Sequence, residues 1–303
     1  MPVTSSQKKA TIVATIVATA LTVLKLVIGV MSGSVAVLAS AIDSLLDMVI
    51  SAFNFFAIKK SEENPNEEYQ YGKGKIQAIA GVIEGTIITM SGFYIIYRAL
   101  EKLIDDESLS LLAPSIMVML ISLVVTFFLV KYLLKIAEET DSMVIKADAL
   151  HYQTDLWSNA AVLLSLLLVW MTDLGSIDAL FGLGIGLFII YSAYEIIQEG
   201  IAILLDRALD GGMVAKIGEI ISHHPDATSY HWLKTRTDGT TNFVEFHLVL
   251  HPEMLLKEAH DITDDIEDQI MALDSRKRWL ITPHYDPYDD EHINEMALHG
   301  TGD

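Results

Sequence analysis

Two pairs of ionisable residues stand inside long apolar runs. Asp43 and Asp47 occur in ASAIDSLLDMVISAFN, and His151 and Asp155 in ADALHYQTDLWSNAAVLL. A spacing of four puts each pair on one face of a helix. Ionisable groups at membrane depth are costly, and they face a partner, a cavity or an ion path. Three carboxylates and one imidazole suit a four-coordinate site for Zn2+ or a similar first-row ion. With no Lys or Arg among them, the carboxylates repel one another unless a cation or protons are present. The competing reading is a set of interhelical hydrogen bonds or salt bridges that holds a bundle together.

A second group lies nearer the C-terminus: His231, His247, His260, and His284 with Asp286 in ITPHYDP. These residues either converge at one edge of a small domain as a metal site or stand scattered on an acidic surface. The chain has no Cys, so a disulfide scaffold and a thiolate site are both excluded. His, Asp and Glu remain as the strong ligand types. The net charge of -20 argues against nucleic acid as a partner.

The elements that must position these residues are of two kinds. Mean hydropathy is +0.39, yet Asp and Glu outnumber Lys and Arg by 40 to 20. The two properties separate along the chain. Apolar spans are expected over Thr11–Met31, Ser34–Ile58, Ile76–Tyr97, Leu112–Leu134, Val144–Met171 and Ile177–Leu205. Each approaches or exceeds the roughly 20 residues that cross a bilayer, and only helices satisfy the backbone there. The first run is too long for a signal peptide and reads as a retained helix. Lys8, Lys9, Lys59, Lys60, Lys73, Lys75, Lys131, Lys135, Lys146 and Arg207 fall on one side of the six spans, which places both termini in the cytoplasm.

After Asp206 the chain is polar and acidic. Its patterns predict a helix (Gly212–His223), a strand (Tyr230–Thr237), an Asp238-Gly239 turn, a strand (Asn242–Leu250), a helix (Leu255–Leu273) and a strand (Arg278–His284). The second helix has an apolar stripe at Leu256, Ala259, Ile262, Ile266, Ile270 and Leu273. The expected architecture is a polytopic membrane domain of six transmembrane helices over 1–206, then a small α+β (αββαβ) domain over 207–290. A flexible tail is expected over 291–303.

Other polar residues in the spans have plainer readings. Lys25 is expected to snorkel. Glu84 reads as a group near the inner, wetter end of the third span, with a proton-linked role as the alternative. Asn54 and Asn159 are candidates for bonds between helices, and the GLGIG run of Gly182, Gly184 and Gly186 for close helix packing rather than a nucleotide loop.

With these residues in hand, the chain resembles the cation diffusion facilitator family, in its bacterial zinc and ferrous-iron efflux branch. The Asp43/Asp47 and His151/Asp155 pairs, ADALHYQTD, LLDRAL (Leu204–Leu209) and the final HYDP carry the resemblance. It implies a homodimer in the bacterial inner membrane that exchanges a cytosolic divalent metal for protons, with a metallochaperone-like cytosolic domain. Zn2+ or Fe2+ is the implied cargo, with Cd2+, Co2+ and Mn2+ also compatible with the ligand set. By motif, Asp43, Asp47, His151 and Asp155 form the transport site. His231, His247, His260, His284 and Asp286 form a two-metal cytosolic site at the dimer interface, with Asp286 bridging. Lys75 and Asp206 match a charged pair that joins the two parts. Related members often carry an Asp and two His in the loop after the second span. Here Asn66, Tyr69 and Lys73 stand in those places, so a third site is expected to be absent or weak.

No enzymatic constellation emerges. An intramembrane aspartyl protease needs its two Asp on different helices, whereas Asp43 and Asp47 share one. The alternative to a transporter is a membrane-anchored metal sensor, which has no need of paired ligands within the bilayer.

Overall fold

In a computed structural model the apolar runs become six long helices: α1 (Val3–Ser32), α2 (Val35–Ser61), α3 (Ile76–Ile104), α4 (Ala113–Thr140), α5 (Met143–Thr172) and α6 (Ser176–Leu204). The structure describes residues 3–32, 35–104, 113–172 and 176–289. The positions read above as a flexible tail lie outside them. Helices of 27 to 30 residues rise about 40–45 Å, more than a bilayer core requires. Among the described residues, stretches of α1, α3, α4 and α6 are long and apolar enough to cross a membrane. α2 and α5 are equally long and carry the ionisable pairs. The chain divides into two units, Met1–Ile201 and Ala202–Asp303.

Small and β-branched side chains let the helices of the first unit approach closely. Ala10, Ala14, Ile58, Leu133, Ile145 and Ala149 meet in its buried core. A Cβ on Gly186 would lie 3.0 Å from the Gly92 carbonyl oxygen, and one on Gly182 would lie 2.9 Å from the Ala99 Cβ. GLGIG is therefore a contact surface of α6 against α3, to which Gly184 does not contribute. A polar chain ties α2, α3 and α5 together at one end. Ser142 Oγ donates to Gln77 Oε1 (2.8 Å), Gln77 Nε2 donates to Ser61 Oγ (3.0 Å), and Ser61 Oγ donates to the Ile58 carbonyl (2.8 Å).

The second unit runs α7 (Gly211–Ser222), β1 (Ser229–Thr237), β2 (Thr241–Val249), α8 (Leu256–Met271) and β3 (Arg278–Asp286). Gly239, at φ +93°, supplies the left-handed turn between β1 and β2, and Asp238 Oδ1 accepts the backbone N–H groups of Thr240 and Thr241. The sheet order is β1-β2-β3, with β1 antiparallel and β3 parallel to β2. Val244, Phe246 and Leu248 of β2 face Ile217 and Ile221 of α7 and Ile266 and Ile270 of α8 in one core. Leu256, counted above in the apolar stripe, is 74% exposed and stands outside that core.

Candidate metal centres

α5 and α2 place one ligand group in the first unit. Donor atoms of Asp47, His151 and Asp155 all lie within 4.8 Å of one another. His151 Nε2 is 3.0 Å from Asp47 Oδ1, and His151 is 8% exposed. One turn of α5 separates His151 from Asp155, so both project toward α2. Beside them Tyr152, at the core of the bundle, shares a 2.9 Å hydrogen bond with Ser51. The side chain of Asp43, the fourth expected ligand, lies outside those described. Two carboxylates and an imidazole at this separation form an N/O donor set that suits a first-row divalent ion.

α2 and α5, together with α3, bury a second polar cluster. Asn54 Nδ2 donates to Glu84 Oε2 (3.0 Å) and to Asp148 Oδ1 (3.3 Å). All three residues are buried. Glu84, expected near the inner, wetter end of its span, does lie toward the start of α3 but is sealed in the bundle rather than wetted. Asn54 does join helices as expected, while Asn159 donates to the Asp155 carbonyl of its own helix (2.8 Å). Lys25, expected to snorkel, is buried. Asp148 is not among the residues expected from the sequence, although 148, 151 and 155 share one helical face.

In the second unit the sheet register does the positioning. His231 pairs across from His247 in the antiparallel ladder, and His247 pairs with His284 in the parallel one. All three imidazoles therefore stand in a row, with ring centroids 5.0 Å and 4.6 Å apart. β3 runs two residues further than its apolar pattern predicts, which brings Asp286 opposite Val249 and onto the face of His284. Asp286 Oδ2 lies 2.7 Å from His247 Nδ1 and 3.4 Å from His231 Nε2, and Oδ1 lies 3.3 Å from His284 Nε2. Donor atoms of His231, His247 and Asp286 fall within 4.8 Å of one another. His260 is not in this group: it is exposed on α8, with Nδ1 3.2 Å from Asp264 Oδ1. Trp232 sits in the bulge that follows His231, at φ +54°, and packs 4.8 Å from the His247 ring.

The remaining expected residues are placed as follows. Asp206 Oδ1 accepts from Arg236 Nη1 (3.3 Å) within the second unit, and Lys75 lies in the first unit just before α3. In the loop after α2, Asn66 Oδ1 accepts the N–H groups of Glu68 and Tyr69, which closes a local turn. Lys73 Nζ lies 2.8 Å from Glu63 Oε2 and over the Tyr69 ring. Lys60 and Lys73 hold the Glu63 carboxyl down at about 2, and Glu63 pushes the Lys73 ammonium above its ordinary value. A firmly protonated Lys73 offers no lone pair to a metal. Among the described residues the loop contributes to no group of three metal-ligating side chains.

Comparison with known proteins agrees with this division. Residues 11–205 match the family model described as cation efflux transmembrane domain, and residues 209–288 match that of the cation efflux protein cytoplasmic domain. The chain is 36% identical over 237 residues to a cation-efflux pump FieF of Pectobacterium atrosepticum, covering 78% of this chain and 79% of that one. Pumps of the same name from Escherichia fergusonii and Klebsiella pneumoniae are 34% and 35% identical over 238 residues, with the same coverage. Motifs, fold and relatives converge: the chain belongs to the cation diffusion facilitator family of cation efflux transporters.

Proposed function

We propose that this chain exports a divalent transition-metal ion, Zn2+ or Fe2+ foremost, in exchange for protons. Asp43, Asp47, His151 and Asp155 are its transport site. The observation that carries the reading is the convergence of Asp47, His151 and Asp155 donor atoms within 4.8 Å between two membrane helices. Carboxylate and imidazole bind a metal only when deprotonated, so binding and proton release are linked. The ion enters from the cytoplasm and displaces protons from the site. Movement of the helices then exposes the site to the other side, where protons return and release the ion. On this reading both termini are cytoplasmic and the protein lies in the bacterial inner membrane.

His231, His247, His284 and Asp286 form a cytosolic metal site, with Asp286 placed between imidazoles on both of its oxygens. His260, exposed on α8, completes the set at an interface between two copies of the chain. Metal held there neutralises part of an acidic surface and tightens the homodimer, which couples cytosolic metal to transport. Lys75 and Asp206 are assigned to the junction between membrane and cytosolic parts. Metal flux into sealed vesicles tests the reading. Uptake driven by a proton gradient supports it. Metal binding without uptake leaves a membrane-anchored sensor instead.

A further inference from the structure

The carboxylates of Glu84 and Asp148 have no part in the transport site, yet they are among the most buried charges in the bundle. Glu84 is 1% and Asp148 0% exposed. One amide group, Asn54 Nδ2, bridges both. Two acceptors bonded to a single nitrogen at about 3 Å lie within about 6 Å of each other. Glu84 Oε1, Asp148 Oδ2 and Asn54 Oδ1 are buried with no hydrogen-bond partner. Such a pair is not stable as two anions, and it calls for one positive charge.

Helix geometry places the cluster relative to the metal. Ser61, Gln77 and Ser142 mark one end of α2, α3 and α5. Asn54 and Glu84 are seven residues from that end, and Asp148 is six, so all three lie about 10 Å along the helices. Asp47 and Asp155 lie about 20 Å along them, and His151 about 14 Å. The cluster thus lies between the polar staple and the metal ligands. On the proposed orientation, that is the cytoplasmic side.

The geometry points to Glu84 as a proton-carrying residue of the exchange cycle, separate from the metal ligands. A proton suits the cluster better than a metal, because the amide nitrogen of Asn54 occupies the space between the two carboxylates. Glu84 suits the role better than Asp148. Asp148 also has the Ser51 hydroxyl beside it, whereas among the described residues Glu84 has only the Asn54 amide as a donor. The charges that face Glu84 are those of Asp148 and His151 on α5. α2 presents the neutral Asn54 to it, with Asp47 further along the helix. Beside it, at Gly85, α6 presents Ala193, Ile196 and Ile197. When a divalent ion arrives at Asp47, His151 and Asp155, its positive charge takes over the role of the proton on Glu84. The Glu84 O–H bond breaks, the electron pair stays on the carboxylate, and the proton leaves toward the cytoplasm. Departure of the ion outward restores the need for a proton, which is taken up from the outer side.

This inference rests on the transport reading, and the experiment separates the two. Proteoliposomes carrying wild type, Glu84→Gln or Asp47→Ala are loaded with a metal indicator and a pH dye, and protons moved per Zn2+ are counted. Glu84→Gln keeps the acceptor oxygen for Asn54 and removes the titrating proton. The expected result is continued Zn2+ uptake with one proton fewer per ion. The same proton count as wild type overturns the role of Glu84 while leaving the transport site intact. Normal uptake by Asp47→Ala overturns the transport site instead. Infrared difference spectra on unaltered protein guard against a misfolded variant: Zn2+ addition is expected to remove a protonated carboxylic-acid band. No such band, or a Zn2+ ion bound per chain that Glu84→Gln loses, overturns the proposal.

Discussion

Replacing Asp286 by Asn probes how far one carboxylate organises the cytosolic site. Asp286 touches three imidazoles, at 2.7 Å (His247), 3.3 Å (His284) and 3.4 Å (His231). Asn keeps the shape but removes the negative charge and turns one ligating oxygen into an NH2 group. An interaction with a charged group contributes about 1.5–3 kcal/mol, so affinity for Zn2+ should fall about 10- to 150-fold. The loss also appears in stability. At a free metal concentration of about 100 times the parent Kd, bound metal stabilises the folded unit by about 2.7 kcal/mol, and after the substitution by only about 0.3–1.4 kcal/mol. For a unit of about 80 residues that difference is a metal-induced melting shift smaller by about 5–20 °C. The assay is calorimetric titration of the full-length chain on an Asp47→Ala background, with thermal melts at fixed Zn2+. A variant that binds the same number of ions within about threefold of the parent affinity refutes the assignment of Asp286 as a ligand.

Three further outcomes follow from packing and charge. Gly186→Val drives a side chain toward the Gly92 carbonyl oxygen and should cost about 1–3 kcal/mol. Gly184→Val, with nothing within 4 Å of its Cβ, should change melting in detergent by less than about 0.5 kcal/mol. Glu63, held down at about 2 by Lys60 and Lys73, keeps its ion pairs at any pH above its ordinary value of 4.5 and loses them only as pH falls through about 2. Hydrogen exchange over residues 62–73, corrected for intrinsic rates, should therefore be unchanged between about pH 7 and pH 5. Lys73→Ala removes one of the two cations and should speed that exchange; equal exchange in the variant contradicts the tether. Tyr152→Phe removes the hydrogen bond shared with Ser51 and should lower bundle stability by about 1 kcal/mol, read as a lower melting temperature.

The membrane helices are legible in the sequence because their apolar runs exceed what a soluble helix needs, and lipid leaves the backbone no alternative. Their ends are less so. α3 continues past Tyr97 to Ile104 and α4 past Leu134 to Thr140, because polar and amphipathic residues extend a helix beyond the apolar core. In the second unit the Asp238-Gly239 turn and the alternation in β2 announce the hairpin. The length of β3 is not announced, since pairing with β2 across some 40 residues of chain decides it. That pairing delivers Asp286 to His247, so HYDP signals the residue while the parallel register supplies its neighbours. The spacing of four was enough to single out Asp47, His151 and Asp155. It did not reveal that Glu84 on α3 is bridged to Asp148 through Asn54, because a partner on another helix leaves no local periodicity. Lys25 and Asn159 show the limits of local rules from the other side: Lys25 is buried where snorkelling is expected, and Asn159 bonds back to the Asp155 carbonyl of its own helix rather than across to another.

The central claim is metal efflux through the group formed by Asp47, His151 and Asp155. Its most direct test is metal-dependent proton flux in proteoliposomes, with a pH dye inside and Zn2+, Fe2+, Mn2+ and Cd2+ added in turn, for wild type and Asp47→Ala. The account predicts proton flux with at least one ion in wild type and its loss in the variant, with the folded protein retained. Undiminished flux through Asp47→Ala, or none with any ion from folded wild-type protein, contradicts it.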